Sequence, residues 1–448
     1  MGFFSLFDPA PRAPPIQDKN VIDKNFKYWR WRTFYSMFIG YAVFYFTRKS
    51  YAFAMPLLSE ELGYDKAQLG SLATVLFLTY GFSKFISGVL SDKSNPRYFM
   101  SVGLIITGIC NICFGLSSSL LSFAIFWGIN GWFQGHGWAP IARLLTHWYS
   151  TNERGSWWSS WNVSHNVGGA LIAIIVGFSA YHWGWRWGFF VPGIISIGVG
   201  LFLMNRLRDT PQSIGLPSVE EWRGDHSGNS GFKNNEEELS TKQILFEYVL
   251  NNKWIWLLAI AYFFVYVVRT ALNDWSVLYL KEVKGYDLAT AGAAVFMFEC
   301  GGFIGSLAAG FGSDWLFGGK RGPVNVLFSF GLVLSVIAFW CVPIGYSILD
   351  FVSLFFIGFF VFGPQMLIGI AAVEASHKKA ASTASGFAGW FAYFGAAFTG
   401  YPLGKIADSY GWNGCFQFLI GCSVVAMLLL IPTVIKERKA QKSETQLA

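Results

Sequence analysis

A chain of 448 residues that is 53% hydrophobic, 19% aromatic and only 13% charged, with a mean hydropathy of +0.41, has too little polar surface to coat a soluble globule. Its net charge of +7 does not point to nucleic acid, because the basic residues fall mostly between apolar segments and form no patch interleaved with base-stacking aromatics. The composition places the chain in a lipid bilayer.

The amino end is not expected to be a cleavable signal, since Phe3 to Phe7 is a short apolar run with no basic residues before it. Residues 1–32, with Arg12 and the prolines around it, read as a solvated cytoplasmic arm. Twelve apolar stretches long enough to span a bilayer follow, near 33–58, 67–90, 98–117, 120–145, 156–181 and 187–206, then 254–280, 288–312, 323–343, 350–373, 382–406 and 414–434. The expected fold is an all-α membrane protein with twelve transmembrane helices in two pseudo-symmetric six-helix bundles, 33–206 and 254–434. A cytoplasmic linker (207–253) and a cytoplasmic tail (435–448) complete the chain.

Lysines and arginines set the orientation. Arg30, Arg32, Lys93, Arg97, Arg154, Arg206, Arg208, Lys320, Arg321, Lys378, Lys379 and Lys436 alternate regularly with loops that carry little beyond Lys66, Arg186, Lys281 and Lys284, which puts both termini and the linker on the cytoplasmic side. Gly224 to Gly231 and the run Glu236, Glu237, Glu238 read as flexible connector. The six cysteines are scattered through apolar segments, so Cys110 and Cys113 are expected to be thiols on a helix and not half of a metal site.

The chain repeats itself. Tyr41, Tyr45 and Arg48 share the pattern Tyr-x-x-x-Tyr-x-x-Arg with Tyr262, Tyr266 and Arg269, and the two arginines lie 221 residues apart. Helical spacing projects each set from one face. Gly88-x-x-x-Asp92 and Gly310-x-x-x-Asp314 recur in nearly the same register. A guanidinium at the bilayer centre costs about 2.5–3.5 kcal/mol on insertion scales, so a pair in matching places argues for function. The planar fork of arginine suits the oxygens of phosphate, and two forks can hold a dianion. Four more polar residues interrupt apolar runs: Lys84 below Tyr80, His165 below Trp161 and Asn162, Glu299, and Lys49. Helix packing accounts for the tyrosines if no ligand is present, and Lys49 could reach the headgroups. Asp274 and Lys281 are expected nearer the outer interface, in a gating role. No H-E-x-x-H, Walker loop, G-x-S-x-G elbow or metal spacing occurs, so no enzyme and no cofactor is expected. The glycine-rich run Gly131 to Gly137, with Gln134 and His136, lies in an apolar helix and reads as a close-packing or hinge segment.

Several motifs together resemble the organophosphate:phosphate antiporters of the major facilitator superfamily: Arg154-Gly155 followed by Trp161-Asn162-Val163-Ser164-His165-Asn166-Val167-Gly168-Gly169, Tyr45-Phe46-Thr47-Arg48-Lys49, Tyr80-Gly81-Phe82-Ser83-Lys84, Gly131-Trp132-Phe133-Gln134-Gly135, and Gly363-Pro364-Gln365-Met366-Leu367-Ile368-Gly369. Arg208-Asp209-Thr210-Pro211-Gln212 and Asn273-Asp274-Trp275 are most similar to the bacterial hexose-phosphate transporter and sensor branch. The resemblance implies the major facilitator fold, a rocker-switch cycle, and exchange of a hexose phosphate, glucose 6-phosphate above all, for inorganic phosphate. Its phosphate-binding residues correspond to Arg48, Arg269, Lys84 and His165. Tyr41, Tyr45, Tyr80, Asn162, Tyr262, Tyr266 and Tyr393 are the expected substrate contacts, and Lys49, Asp274 and Glu299 the expected salt-bridge or gating groups. Three positions depart from the pattern. Ser385 and Ala388 stand where the dedicated hexose-phosphate carrier has an acid and a lysine, and Phe362 stands where the glycerol-phosphate carrier has a tyrosine. The expectation is a monomer in a bacterial inner membrane. The alternatives are a transporter-like sensor of external hexose phosphate with a histidine kinase as partner, or an antiporter for another organophosphate such as glycerol 3-phosphate.

Overall fold

The computed structural model describes residues 7–92, 94–150, 153, 157, 160–224, 244–317, 320–376 and 381–447. Among these there is no strand. The long helices are α1 (Lys19–Leu62), α2 (Lys66–Asp92), α3 (Pro96–Leu116), α4 (Leu120–Trp148), α5 (Ser164–Trp183), α6 (Trp187–Arg206), α7 (Lys253–Lys284), α8 (Leu288–Trp315), α9 (Arg321–Cys341), α10 (Ser347–Glu374), α11 (Ala381–Phe398) and α12 (Tyr401–Leu447). Gly411, at φ 65°, breaks α12 into two helices. Among the described residues, eight stretches are long and apolar enough to cross a membrane by length and composition, the last of them (Gly386–Arg438) running from α11 through α12. Helices α1, α2 and α4, which carry Arg48, Lys49, Lys84 and Gln134, fall outside that criterion. Arg154-Gly155, Lys93, Lys378, Lys379 and the linker from residue 225 through Glu238 lie outside the described residues, as do the side chains of Gly88, Asp92, Asp314 and Ser385.

Local chemistry explains where helices begin and end. Asn95, Ser119, Asn252 and Asp287 each accept a hydrogen bond from a first-turn amide, and Pro96 stands at the first helical position of α3, where its missing N–H is harmless. Gly184 and Gly285 end α5 and α7 at positive φ.

Packing divides the chain into two compact units, Met1–Ser50 with Thr79–Glu237 and Tyr51–Leu78 with Glu238–Ala448. In the first unit α3 packs on α4 and α6; in the second, α9 packs on α10 and α12. The repetition extends to single backbone contacts. A Cβ on Gly168 of α5 would lie 2.3 Å from the carbonyl oxygen of Ala42 in α1, and a Cβ on Gly395 of α11 would lie 2.2 Å from that of Phe263 in α7. Ala42 and Phe263 are themselves 221 residues apart, the spacing of the two arginines. Only glycine allows so close an approach. Within the second unit the start of α2 is capped from α12, since the amides of Lys66 and Ala67 donate to the Asp408 carboxylate at 3.2 and 2.8 Å.

The amino-terminal arm is largely exposed, Arg12 and the prolines around it included, but it is not free. Helix α1 begins at Lys19, and the chain before it is pinned to the start of the linker: Ala13 N–H donates to Gln212 O at 3.0 Å, Ile16 N–H to Gly215 O at 2.8 Å, and Ala10 N–H to the Asp209 carboxylate at 2.9 Å. Prolines 9, 11, 14 and 15 hold this stretch extended, which leaves its amides free to donate to the carbonyls of the 3-10 turn Pro211–Ile214 and of its left-handed cap Gly215. Trp222, in the helical turn Val219–Arg223, stacks on Phe26 at 4.4 Å, and Glu153 bridges Arg30 at 2.6 Å and Arg223 at 2.9 Å. These partners of the arm are far away in sequence, which is why local pattern reads the arm as free.

The glycine contacts are testable by crowding. Gly168→Val and Gly395→Val should each destabilise the purified protein by about 1–3 kcal/mol, because the clash is with backbone and cannot be relieved by a rotamer change. Gly198→Ala in α6, where a Cβ meets nothing within 4 Å, should leave the melting temperature unchanged or raise it slightly. Differential scanning fluorimetry in detergent decides it, and equal melting temperatures for all three variants would contradict the close approach.

Candidate functional site

In the first unit the site is built around Arg48, which is buried at 7% relative exposure. Nε and Nη2 both donate to Oε1 of Gln134 at 3.1 Å. The guanidinium lies over the Tyr45 ring at 4.4 Å and the Tyr80 ring at 4.5 Å. Gln134 is held in turn: its amide donates to Thr47 Oγ1 at 3.0 Å and to Asn130 Oδ1 at 3.1 Å. Asn130 and Asn111 both donate to the Thr47 carbonyl, at 2.8 and 3.1 Å, and Ser50 Oγ donates to Asn111 Oδ1 at 2.8 Å. The network ties α1 to α3 and α4. An amide oxygen orients a guanidinium without carrying a counter-charge, and cation–π contact with two rings adds attraction while leaving the charge intact.

The expected companions of Arg48 are arranged along α1, α2 and α5. Tyr41 packs on Tyr45 at 5.7 Å and on Trp161 at 4.9 Å, and the His165 ring lies 5.8 Å from that of Tyr45. Nδ1 of His165 hydrogen-bonds to the backbone carbonyl of Asn162, whose own side chain is exposed. The close approach at Gly168, one turn along α5 from His165, sets this geometry. Lys84 sits with its ammonium 5.1 Å from the Trp138 ring of α4. Lys49 is buried, so it does not snorkel to the surface.

In the second unit Arg269 is half-buried. Its guanidinium lies 4.8 Å from the Phe362 ring and 5.4 Å from that of Tyr266. Tyr266 packs edge-on against Tyr262 at 4.9 Å and Tyr393 at 5.8 Å, and the Tyr262 hydroxyl donates to the Gln365 carbonyl at 2.8 Å. Gly395 brings α11, and with it Tyr393, against α7. Glu299, at 2% exposure, accepts from the Asn273 amide at 2.8 Å. Asp274 is also buried, while Lys281 pairs with Glu60 at 2.8 Å within the same unit. Cys110 is buried and Cys113 half-buried, both as free thiols. Among the described residues no cluster of three metal-ligating side chains occurs.

Each unit therefore presents one arginine against two aromatic rings, on helices joined by the same glycine-mediated approach. Sequence reasoning found both arginines and all of the tyrosines. It passed over the amides: Asn130 and Gln134, four apart in α4, and Asn111 in α3. Uncharged polar side chains at helical spacing inside apolar runs were the signal available. Gln134 was seen only as part of a glycine-rich run, whose packing role also holds, since a Cβ on Gly135 would lie 2.3 Å from Ser83 Oγ.

A family profile described as Major Facilitator Superfamily matches residues 37–400. The chain is 57% identical over 438 residues to a probable hexose phosphate transport protein of Chlamydia trachomatis, covering 96% of each. It is 51% identical over 420 residues to the membrane sensor protein UhpC of Escherichia coli, covering 94% of this chain and 95% of that one. A bacterial homolog of the human lysosomal transporter Spinster, in an inward-facing and unoccupied conformation, shares the fold at a TM-score of 0.63 and 17% identity, over 91% of this chain and 94% of its own.

The Gln134 contact separates orientation from charge. Gln134→Leu strands buried donors and should cost about 1–3 kcal/mol of stability. Gln134→Glu places a carboxylate on Arg48 and should keep the unliganded melting temperature near that of the parent while abolishing the stabilisation produced by millimolar phosphate. Thermal melts with and without phosphate report both, and a full phosphate shift in the glutamate variant would show that Arg48 does not take the anion.

Proposed function

We propose, from the premise that this chain belongs to the Major Facilitator Superfamily and is a multi-pass membrane protein related to organophosphate carriers, that it exchanges a hexose phosphate for inorganic phosphate. It is a transport protein, and its work is binding and movement instead of bond-breaking. The single observation that carries the reading is the setting of Arg48: a buried guanidinium held by a neutral amide and two rings, ready for an anion. Arg269, against Tyr266 and Phe362, supplies a second fork. The phosphoryl group takes one fork from each half of the chain, with Lys84 and His165 as accessory groups and the tyrosines Tyr41, Tyr45, Tyr80, Tyr262, Tyr266 and Tyr393, with Asn162, around the sugar.

The direction of the chemistry follows from charge. Two guanidiniums that serve one anion repel when none is held, so an empty carrier changes state reluctantly and obligatory exchange is favoured over free uniport. The halves 33–206 and 254–434 act as the bodies of an alternating-access cycle, with Lys49, Asp274 and Glu299 as the ionic groups that respond to occupancy. Glucose 6-phosphate is the proposed substrate, the relatives' hexose phosphate being the guide. The distribution of lysine and arginine puts both termini on the cytoplasmic face of a bacterial inner membrane, and one polypeptide carrying both halves suffices as a monomer.

A second reading rests on its own observation: the identity to UhpC, joined to Ser385 and Ala388 at positions where a dedicated carrier has an acid and a lysine. On that reading the same site senses external hexose phosphate and signals to a membrane histidine kinase. Reconstituted protein separates the two, because a carrier exchanges labelled phosphate without any partner.

Arg48→Lys and Arg269→Lys keep the charge and lose the fork. Each should reduce phosphate self-exchange in liposomes by about tenfold or more, the loss expected when one charge-assisted hydrogen bond is removed. Near-normal exchange in both variants would refute the paired-fork reading. Counterflow of labelled phosphate against a panel of sugar phosphates and glycerol 3-phosphate should be fastest with glucose 6-phosphate.

A further inference from the structure

Four arginines gather where the end of α6 and the start of α3 meet the side of α1 in the first unit. Arg32 donates through Nε to the Arg206 carbonyl at 3.1 Å, through Nη2 to the Asn205 carbonyl at 2.9 Å, and through Nη1 to the Tyr28 hydroxyl at 2.6 Å. Arg208 donates through Nη1 to the carbonyls of Asn205 and Leu207 at 3.0 and 2.7 Å, and Arg97 donates through Nε to that of Met204. Arg32 and Arg208 share one indole, lying 4.5 and 4.9 Å from the Trp29 ring. Arg97 and Arg206 lie over Tyr98 and Phe202 at 5.0 and 5.5 Å.

Capping of α6 explains part of this and not the rest. The last carbonyls of a helix carry about half a negative charge, which one guanidinium satisfies. Here four are assembled, and among the described residues none of them forms an ion pair with a carboxylate. Asp209 follows Arg208 directly, yet its carboxylate is turned into the protein against Arg143 at 3.0 Å, with 1% side-chain exposure. Burial, and then the neighbouring Arg97 and Arg32 guanidiniums, push Arg208 below the usual arginine range. The carbonyl bonds fix the forks in place while leaving the excess charge uncompensated.

The position of the cluster names its ligand. Helix α6 has 20 residues, about 30 Å, the thickness of a bilayer's hydrocarbon core, so its end at Arg206 stands at the headgroup level. Arg97, in the first turn of α3, lies at the same boundary because it contacts the end of α6. Tyr28 and Trp31, 52% and 61% exposed, are the amphipathic rings that favour this level. We propose that the arginine cluster of α1, α3 and α6 binds the phosphate of an anionic phospholipid headgroup. The guanidiniums take the phosphodiester oxygens and the aromatic rings border the glycerol and upper acyl chain. The site needs only that the chain spans a membrane, so it stands apart from the sugar-phosphate reading.

The test uses the full-length protein, purified and supplied with defined lipids. Native mass spectrometry with phosphatidylglycerol and phosphatidylcholine in equal amounts should show the parent protein retaining phosphatidylglycerol preferentially. Arg97→Gln with Arg208→Gln should lower that retention by about fivefold for each arginine removed, and Arg97→Lys with Arg208→Lys by less, because lysine keeps charge and loses the fork. Undiminished retention in the glutamine pair overturns the proposal. If that pair is not recovered folded, undiminished retention in the lysine pair does so. Inorganic phosphate or glucose 6-phosphate at millimolar concentration should not displace the lipid; displacement by either would assign the cluster to soluble anions and equally overturn the proposal.

Discussion

The structure depends on a buried cation that is aimed by an amide. A guanidinium inside an apolar bundle is tolerated when its donors are satisfied. Gln134 accepts from two of those donors and fixes the direction of the fork. The amide must then be held against rotation, and Thr47, Asn130 and Asn111 do that from α1, α3 and α4. Three helices are thus registered to one another by the same bonds that aim Arg48. Stability and site geometry share these residues, so neither can vary independently.

The second half of the chain reaches a comparable result by different means. Arg269 lies against Tyr266 and Phe362, where Arg48 has Tyr45 and Tyr80, and the helix that carries each arginine meets another through glycine, α1 with α5 and α7 with α11. The backbone approach is repeated at a constant spacing while the side chains around each arginine have diverged. Gene-scale repetition accounts for the constant part, since the contact of Gly168 with Ala42 and that of Gly395 with Phe263 have no tolerance for a Cβ. Around the arginines one ring is kept, Tyr45 and Tyr266, and the other differs, Tyr80 and Phe362.

Outside the apolar core, charge is handled in two contrasting ways at one end of the first unit. Glu153 lies between Arg30 and Arg223, and Asp209 faces Arg143, so the arm and the linker are clasped by matched ions. Burial works against the charge on Glu153, and the two guanidiniums outweigh it, holding its carboxyl below the usual range. A short distance along the same helices, Arg32, Arg97, Arg206 and Arg208 stand with carbonyls and aromatic rings as their partners. Balanced pairs serve the fold, and the unbalanced group faces the level at which lipid phosphates lie.

Much of this was legible in the residues alone. Composition and the length of apolar runs determined a helical membrane protein, and the spacing of Tyr41, Tyr45 and Arg48 against Tyr262, Tyr266 and Arg269 determined that the chain is duplicated and where its cations lie, because helical periodicity is a local property. Only the tertiary structure decided which amide holds Arg48, that Lys49 and Asp274 are buried, that the proline-rich arm is docked, and that Asp209 turns away from Arg208 to leave an arginine cluster. Each of these is a pairing between residues far apart in the chain, and such pairings are settled by how helices pack, which no local pattern records.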